Sequence, residues 1–138
     1  MKAGLVLLRV TAAVLGLQLL LGGLLTFGFI SSGAHVLVGF ILLILAVATT
    51  AAWFVTKPSF RPMKAVTSVI VVLMLLQVIL GESTLNSGDH VVAFLHFVNA
   101  LAIFGATVSG SFLAMRWERI MQAAASEQRP GAGAPGAS

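Results

Sequence analysis

The sequence predicts an all-α integral membrane protein, a four-helix bundle built of two pseudo-equivalent helical hairpins. Three observations predict it. Hydrophobic residues make up 59% of the chain and charged residues only 9%, with a mean hydropathy of +1.06; a soluble domain is about 45–50% apolar and roughly 25% charged. A soluble fold of this length would need far more polar surface to cover its core, so the excess apolar side chains must face lipid. Four runs are long enough to cross a bilayer, which takes about 20 predominantly apolar residues. The two halves of the chain also repeat Gln, Gly and His in the same order.

The first predicted span covers about residues 3–28. Met1-Lys2 followed by an apolar stretch has the look of a signal peptide. The run from Ala3 to Ile30 exceeds the about 7–15 residues of a signal-peptide core, however, and Arg9 interrupts it early. It reads as a retained helix. Phe29-Ile30-Ser31-Ser32-Gly33 is a short turn whose serines can cap a second span over about 34–56. Lys57-Pro58-Ser59-Phe60-Arg61-Pro62 is a basic loop, because its prolines cannot continue a helix. A third span follows over about 63–81, then an acidic polar loop from Glu82 to Asp89, then a fourth span over about 91–115. Arg116-Trp117-Glu118-Arg119 reads as an interfacial anchor that closes a membrane domain of residues 1–119. Residues 120–138, rich in Gly, Ala, Pro and Ser, are expected to form a disordered tail.

Orientation follows from the basic residues. Lys2, Arg9, Lys57, Arg61, Lys64, Arg116 and Arg119 all fall on one side of the predicted membrane, and the other side carries only Glu82 and Asp89. The positive-inside rule makes the basic side cytoplasmic, with both termini there and the protein multi-pass in the cell membrane. His35, His90 and His96 then lie toward the outer face.

Composition also excludes chemistries. With no cysteine, disulfides, thiolate metal sites, iron–sulfur clusters and covalent heme attachment are ruled out. The net charge of +4 does not point to nucleic acid, since no basic stripe with interleaved aromatics is present. No paired carboxylates, Ser/His/Asp set or phosphate-binding glycine loop stands out, so a hydrolase or nucleotide enzyme is not expected.

The repeat aligns Leu17-Gln18-Leu19-Leu20-Leu21-Gly22 with Leu76-Gln77-Val78-Ile79-Leu80-Gly81. After a short turn, Ala34-His35 and Leu95-His96 each open the next helix. An ionisable residue inside a span is costly and is by default a functional candidate. In a four-helix bundle the repeat can aim His35 and His96 at the axis from opposite sides, as axial ligands of a metal in a heme plate. Gly39 and Ala100 stand four residues after each histidine, on the same helical face. They would let a porphyrin approach the backbone, with Phe40, Phe94, Phe97 and Phe104 as apolar packing. The plainer reading is that the histidines bond to the outer loops and the small residues tighten helix contacts.

Gln18 and Gln77 lie deep in the first and third spans, as contacts to a cofactor or as interhelical hydrogen bonders. Gly22, Gly23 and Gly81 read as packing residues, and Thr26 and Asn99 as minor polar candidates for the same pocket. His90 reads as a surface residue, a propionate partner or a second ligand site. Glu82 is either a solvated loop carboxylate or a proton-handling group beside His90 or a quinone.

Leu-Gln-x-x-Leu-Gly, a short outer turn and a histidine opening the next helix resemble one four-helix half of heme A synthase. The similarity is best across residues 76–106 and weaker across 17–48. The resemblance implies heme held on the extracytoplasmic side by His35 and His96. That family carries a longer first outer loop, with a functional glutamate and often a cysteine pair, where this chain has Phe29–Gly33. The expected function is therefore a b-type membrane cytochrome that carries heme b and transfers electrons, with membrane subunits of a respiratory or photosynthetic complex and quinone as partners. The alternatives are a non-catalytic structural subunit of a larger complex and a heme-modifying enzyme.

Overall fold

The structure is a computed structural model and describes residues 2–55 and 60–127. Residue 1, residues 56–59 of the expected basic loop and residues 128–138 of the expected tail lie outside the described residues. Four helices run in order: α1 (Lys2–Thr26), α2 (Ser32–Val55), α3 (Arg61–Ser87) and α4 (His90–Glu127). Each is long and apolar enough to cross a membrane. No more than 28% of any span's most apolar window is buried inside the protein. The outward faces are apolar as well, with Leu20, Ile44, Val72 and Phe112 among the exposed side chains. With little buried and the outside greasy, the protein is built to be solvated by lipid tails.

Local chemistry explains the helix ends. At the end of α1, Gly28 takes φ +75°, a conformation that costs glycine little. The amides of Gly28 and Phe29 then donate to Leu25 O at 3.0 Å and Leu24 O at 2.8 Å. This is a Schellman ending, which satisfies carbonyls the helix would otherwise orphan.

The acidic loop expected from Glu82 to Asp89 is mostly helix, because α3 runs on to Ser87 and stops at Gly88 with φ 66°. Gly81 therefore sits inside the helix. The side chains of Ser83, Thr84 and Ser87 turn back to carbonyls four residues earlier. Asp89 caps α4 through its Oδ1, which accepts from the amides of Val91 at 2.7 Å and Val92 at 3.4 Å. α4 also continues through Glu127, so residues 120–127, expected to belong to the tail, are helical. Met121, Gln122, the alanines and Glu127 are good helix formers and prolong it into solvent.

The bundle closes as a ring. α1 packs on α2, α2 on α3, α3 on α4 and α4 on α1, leaving α1 and α3, and α2 and α4, as diagonal pairs. One end of the bundle holds the two tight turns; the other holds Lys2 and the far end of α4. At that second end Trp53, Phe60, Met63 and Ala114 are buried, and Phe60 stacks on Trp117 with centroids 4.3 Å apart. Above them every helix contributes one buried threonine, Thr11, Thr49, Thr67 and Thr107. Each hydroxyl donates to the carbonyl four residues earlier, so these polar groups enter the core already satisfied.

Candidate functional site

At the turn end the apolar core gives way to a polar cluster. His35 near the start of α2 and His96 in the second turn of α4 come from diagonal helices and meet across the bundle axis. Their ring centroids are 6.1 Å apart and the planes cross at 65°. Both side chains are half-buried.

Each imidazole is held by its own hairpin. The Nε2 of His35 lies 3.3 Å from the amide nitrogen of Gln18, and the same amide donates to the His35 carbonyl at 2.9 Å. In the other hairpin the amide nitrogen of Gln77 lies 3.2 Å from Nε2 of His96. The glutamines predicted deep in the first and third spans are thus the direct partners of the histidines.

The flanking glycines belong to the same unit. A Cβ on Gly22 would lie 3.2 Å from Cε1 of His35, and one on Gly81 would lie 3.0 Å from Cε1 of His96. Only a hydrogen at these positions lets the nitrogen-bearing edge of each ring lie against the neighbouring helix. Gly22, Gln18 and Leu15 correspond to Gly81, Gln77 and Met74 at one constant offset. His35 and Leu42 correspond in the same way to His96 and Ile103.

The correspondence breaks at one place. Asn99, 8% exposed, donates to Gln77 Oε1 at 2.6 Å and to the Leu73 carbonyl at 3.0 Å. Its counterpart in the first hairpin is Val38. Gln18 Oε1 accordingly has no hydrogen-bond partner.

Five buried polar atoms have no hydrogen-bond partner among the described residues, and three of them sit here: Nδ1 of His35, Nδ1 of His96 and Oε1 of Gln18. Each such group costs about 1–3 kcal/mol when left unsatisfied, and a cluster of them in a native core calls for a ligand, an ion or water. The described residues bring no three of His, Cys, Asp and Glu together into a metal-binding group.

Several candidates lie elsewhere. Phe97 follows His96 directly, about 100° further round the helix, and is 55% exposed on the outer face of α4. It does not line the cluster, and Phe40 and Phe94 are exposed as well. Phe104 instead packs half-buried against the core. Gly39 faces Gln18, whose amide nitrogen would lie 3.3 Å from a Cβ there. Ala100 is half-buried. Thr26 is exposed, with its hydroxyl on the Gly22 carbonyl at 2.9 Å.

Glu82 and His90 are both exposed at the turn end. Glu82 accepts from Asn86 at 3.1 Å, so the structure brings neither residue into the histidine cluster. Two apolar grooves among the described residues lie away from the histidines. One runs along α3 and α4 past Val69 and Gly110, and the other along α2 and α3 past Ala51 and Val72. They have the character of lipid-facing furrows.

No protein-family model, curated protein or solved structure matches the chain.

Proposed function

We propose that the chain is a small b-type membrane cytochrome in which His35 and His96 hold one heme. The carrying observation is a pair of imidazoles, on diagonal helices, with centroids 6.1 Å apart and, among the described residues, no third metal-binding side chain grouped with them. A free metal ion in a protein cage needs three or four protein ligands. A porphyrin brings four donors of its own and leaves two axial positions, so a bare pair of histidines is a sufficient donor set for heme iron and an insufficient one for zinc. An imidazole nitrogen lies about 2 Å from a bound transition metal, so two rings sharing one iron have centres about 6 Å apart; to take up iron, both rings would turn their nitrogen-bearing edges from α1 and α3 toward each other. Beside the pair stand three buried polar atoms without a hydrogen-bond partner, and Gly22 and Gly81 let the rings pack closely against α1 and α3.

Heme supplies one-electron chemistry when bound, and occupation of both axial positions by histidine suits electron transfer rather than oxygen chemistry. The chain's own groups do the rest. His35 and His96 offer neutral nitrogens. In the heme-free chain Gln18 and Gln77 hold the rings through Nε2. The apolar bundle and its lipid surround exclude water and lower the dielectric, which is how a protein tunes a redox centre. Nε2 of His35 and of His96 would hold the iron, and Gln18 and Gln77 would have to give up their present contacts with those atoms.

The Leu-Gln-x-x-Leu-Gly and histidine pattern shared with heme A synthase supports the same reading. The short turn after α1, lacking glutamate and cysteine, favours a carrier over a heme-modifying enzyme. With Arg9, Arg61, Lys64, Arg116 and Arg119 on helix segments toward the end of the bundle opposite the histidines, the heme would lie near the extracytoplasmic face of the cell membrane. A quinol or a membrane partner subunit would then be the redox partner.

One observation favours a second reading. The Gln18–His35 and Gln77–His96 bonds fasten each hairpin without any cofactor, as a structural membrane subunit would need. A reduced-minus-oxidised visible spectrum of the purified full chain decides between them. The cytochrome reading expects a sharp Soret band with resolved α and β bands, and loss of this six-coordinate spectrum in His35→Ala and in His96→Ala. A folded, colourless protein that takes up no added hemin would support the structural subunit.

A further inference from the structure

The end of the bundle away from the histidines carries donors with nothing to donate to. Arg61 on α3 and Arg116 on α4 are exposed, and neither makes an ion pair among the described residues. Trp117, next along the chain from Arg116, buries its Nε1 without a hydrogen-bond partner. The packing that stacks Phe60 on Trp117 and sets Gly81 against His96 gives α3 and α4 one antiparallel register. That register carries Arg61 level with Arg116. No carboxylate stands between them: Glu118 is turned about 200° from Arg116 on its helix, and Glu127 lies three turns further on. Lys64 leans the other way, its Nζ 5.2 Å from the Phe54 ring on α2.

An apolar furrow leads to the same place. It runs over Gly110, between Ala65 and Val69 on α3 and Ser109 and Leu113 on α4. Residues three, four or seven apart share a helix face. Arg61 stands four residues before Ala65, and Arg116 stands three after Leu113 and seven after Ser109. The furrow therefore runs out between the two arginines.

Two guanidinium groups at one height repel each other and attract an anion. A phosphodiester offers the oxygens that guanidinium binds best, and the stacked Phe60–Trp117 pair marks the headgroup level at which a membrane supplies one. The furrow decides what is attached to it. A Cβ on Gly110 would lie 3.2 Å from Val66 Cγ1, so the helices touch at its floor. What enters must be thinner than a helix, which is about 10–12 Å across; an acyl chain is. A zwitterionic lipid brings a cation of its own to the arginines, and an anionic lipid does not.

We propose that the basic end of the α3/α4 furrow holds one anionic phospholipid of the adjoining leaflet, with its phosphate between Arg61 and Arg116 and one acyl chain laid along the furrow past Ser109. Basic pockets between membrane helices hold anionic headgroups by the same forces. No part of this depends on heme.

The test reconstitutes the full chain into phosphatidylcholine bilayers containing acyl-brominated phosphatidylglycerol, or brominated phosphatidylcholine at the same mole fraction, and reads tryptophan quenching. The chain has two tryptophans; Trp53 is 2% exposed, so Trp117 is the reporter. Wild type is expected to prefer phosphatidylglycerol at least about tenfold, since each arginine at an anionic headgroup contributes about fivefold. Arg61→Gln and Arg116→Gln should each lower the preference about fivefold, and the double variant should remove it. Arg9→Gln takes the same charge from α1, diagonal to α3, and should leave the preference unchanged. Ser109→Leu fills the furrow, keeps both arginines and should lose most of the preference. All four side chains are exposed, so none of these changes disturbs the core.

Equal quenching by the two lipids in wild type would overturn the proposal. So would a fall in Arg9→Gln as large as in Arg61→Gln, which would mean diffuse charge attraction. Full preference in Ser109→Leu would overturn the furrow as the seat of the acyl chain. Relief of quenching by inorganic phosphate would assign the arginines to a soluble anion and overturn the lipid.

Discussion

A methyl group on Gly81 would meet Cε1 of His96 at 3.0 Å. That is tighter than nine in ten real Cβ contacts, so the imidazole, a rigid ring, would have to give by a few tenths of an ångström. Gly81→Ala must therefore displace His96 or part α3 from α4. The expected cost is about 1–3 kcal/mol, as for an overpacked core. Unfolding of the heme-free chain by SDS in detergent micelles measures it. Gly22→Ala should cost less, because its methyl would meet His35 at 3.2 Å.

At the opposite end the same argument applies to Gly4, whose added Cβ would lie 3.0 Å from Cε2 of Trp53. Trp53 is 2% exposed and sits in edge contact with Phe60, so its indole has nowhere to go. Gly4→Ala should destabilise the bundle by about 1–3 kcal/mol without altering any spectrum of the histidine site. A shift in that spectrum would mean that the two ends of the bundle are mechanically coupled.

The threonines make the contrasting case. Thr11 and Thr49 share a hydroxyl contact of 3.2 Å between α1 and α2, yet each hydroxyl already donates to its own helix. Interhelical side-chain hydrogen bonds in membranes average only about 0.6 kcal/mol. Thr49→Val, nearly isosteric, should therefore change stability by no more than about 1 kcal/mol in the same SDS assay. A larger loss would show that the threonine layer carries more of the helix association than its geometry indicates.

Gly88 closes α3 with φ 66° and an amide bond to the Thr84 carbonyl at 3.0 Å. A β-carbon in that left-handed conformation costs about 1–2 kcal/mol. Gly88→Ala should lower the thermal midpoint accordingly, while Gly88→Asn should be milder, since asparagine tolerates this conformation better.

What the sequence could and could not convey follows from which forces are local. The four spans were legible because lipid demands long apolar runs whatever the packing. Their ends were less so. Gly81 reads as a helix terminus by composition, but the residues after it are capable helix formers, and the left-handed turn falls at Gly88. His35, His96, Gln18 and Gln77 stood out because polar residues are costly within a span. Their pairing was hidden, since it depends on how the faces of α1 and α2, and of α3 and α4, meet. Phe97 was misplaced for a simpler reason: adjacent residues on a helix diverge by about 100°, so it and His96 could not both face the axis. Asn99 read as a minor polar residue, and only the packing of α4 on α3 reveals that it anchors Gln77.

The most direct test of the account is the iron stoichiometry and spin state of the purified full chain after saturation with hemin and reduction. One low-spin, six-coordinate heme b per chain is predicted, with that spectrum abolished by either His35→Ala or His96→Ala. Failure to retain hemin by a folded chain, or a low-spin spectrum that survives both substitutions, would contradict it.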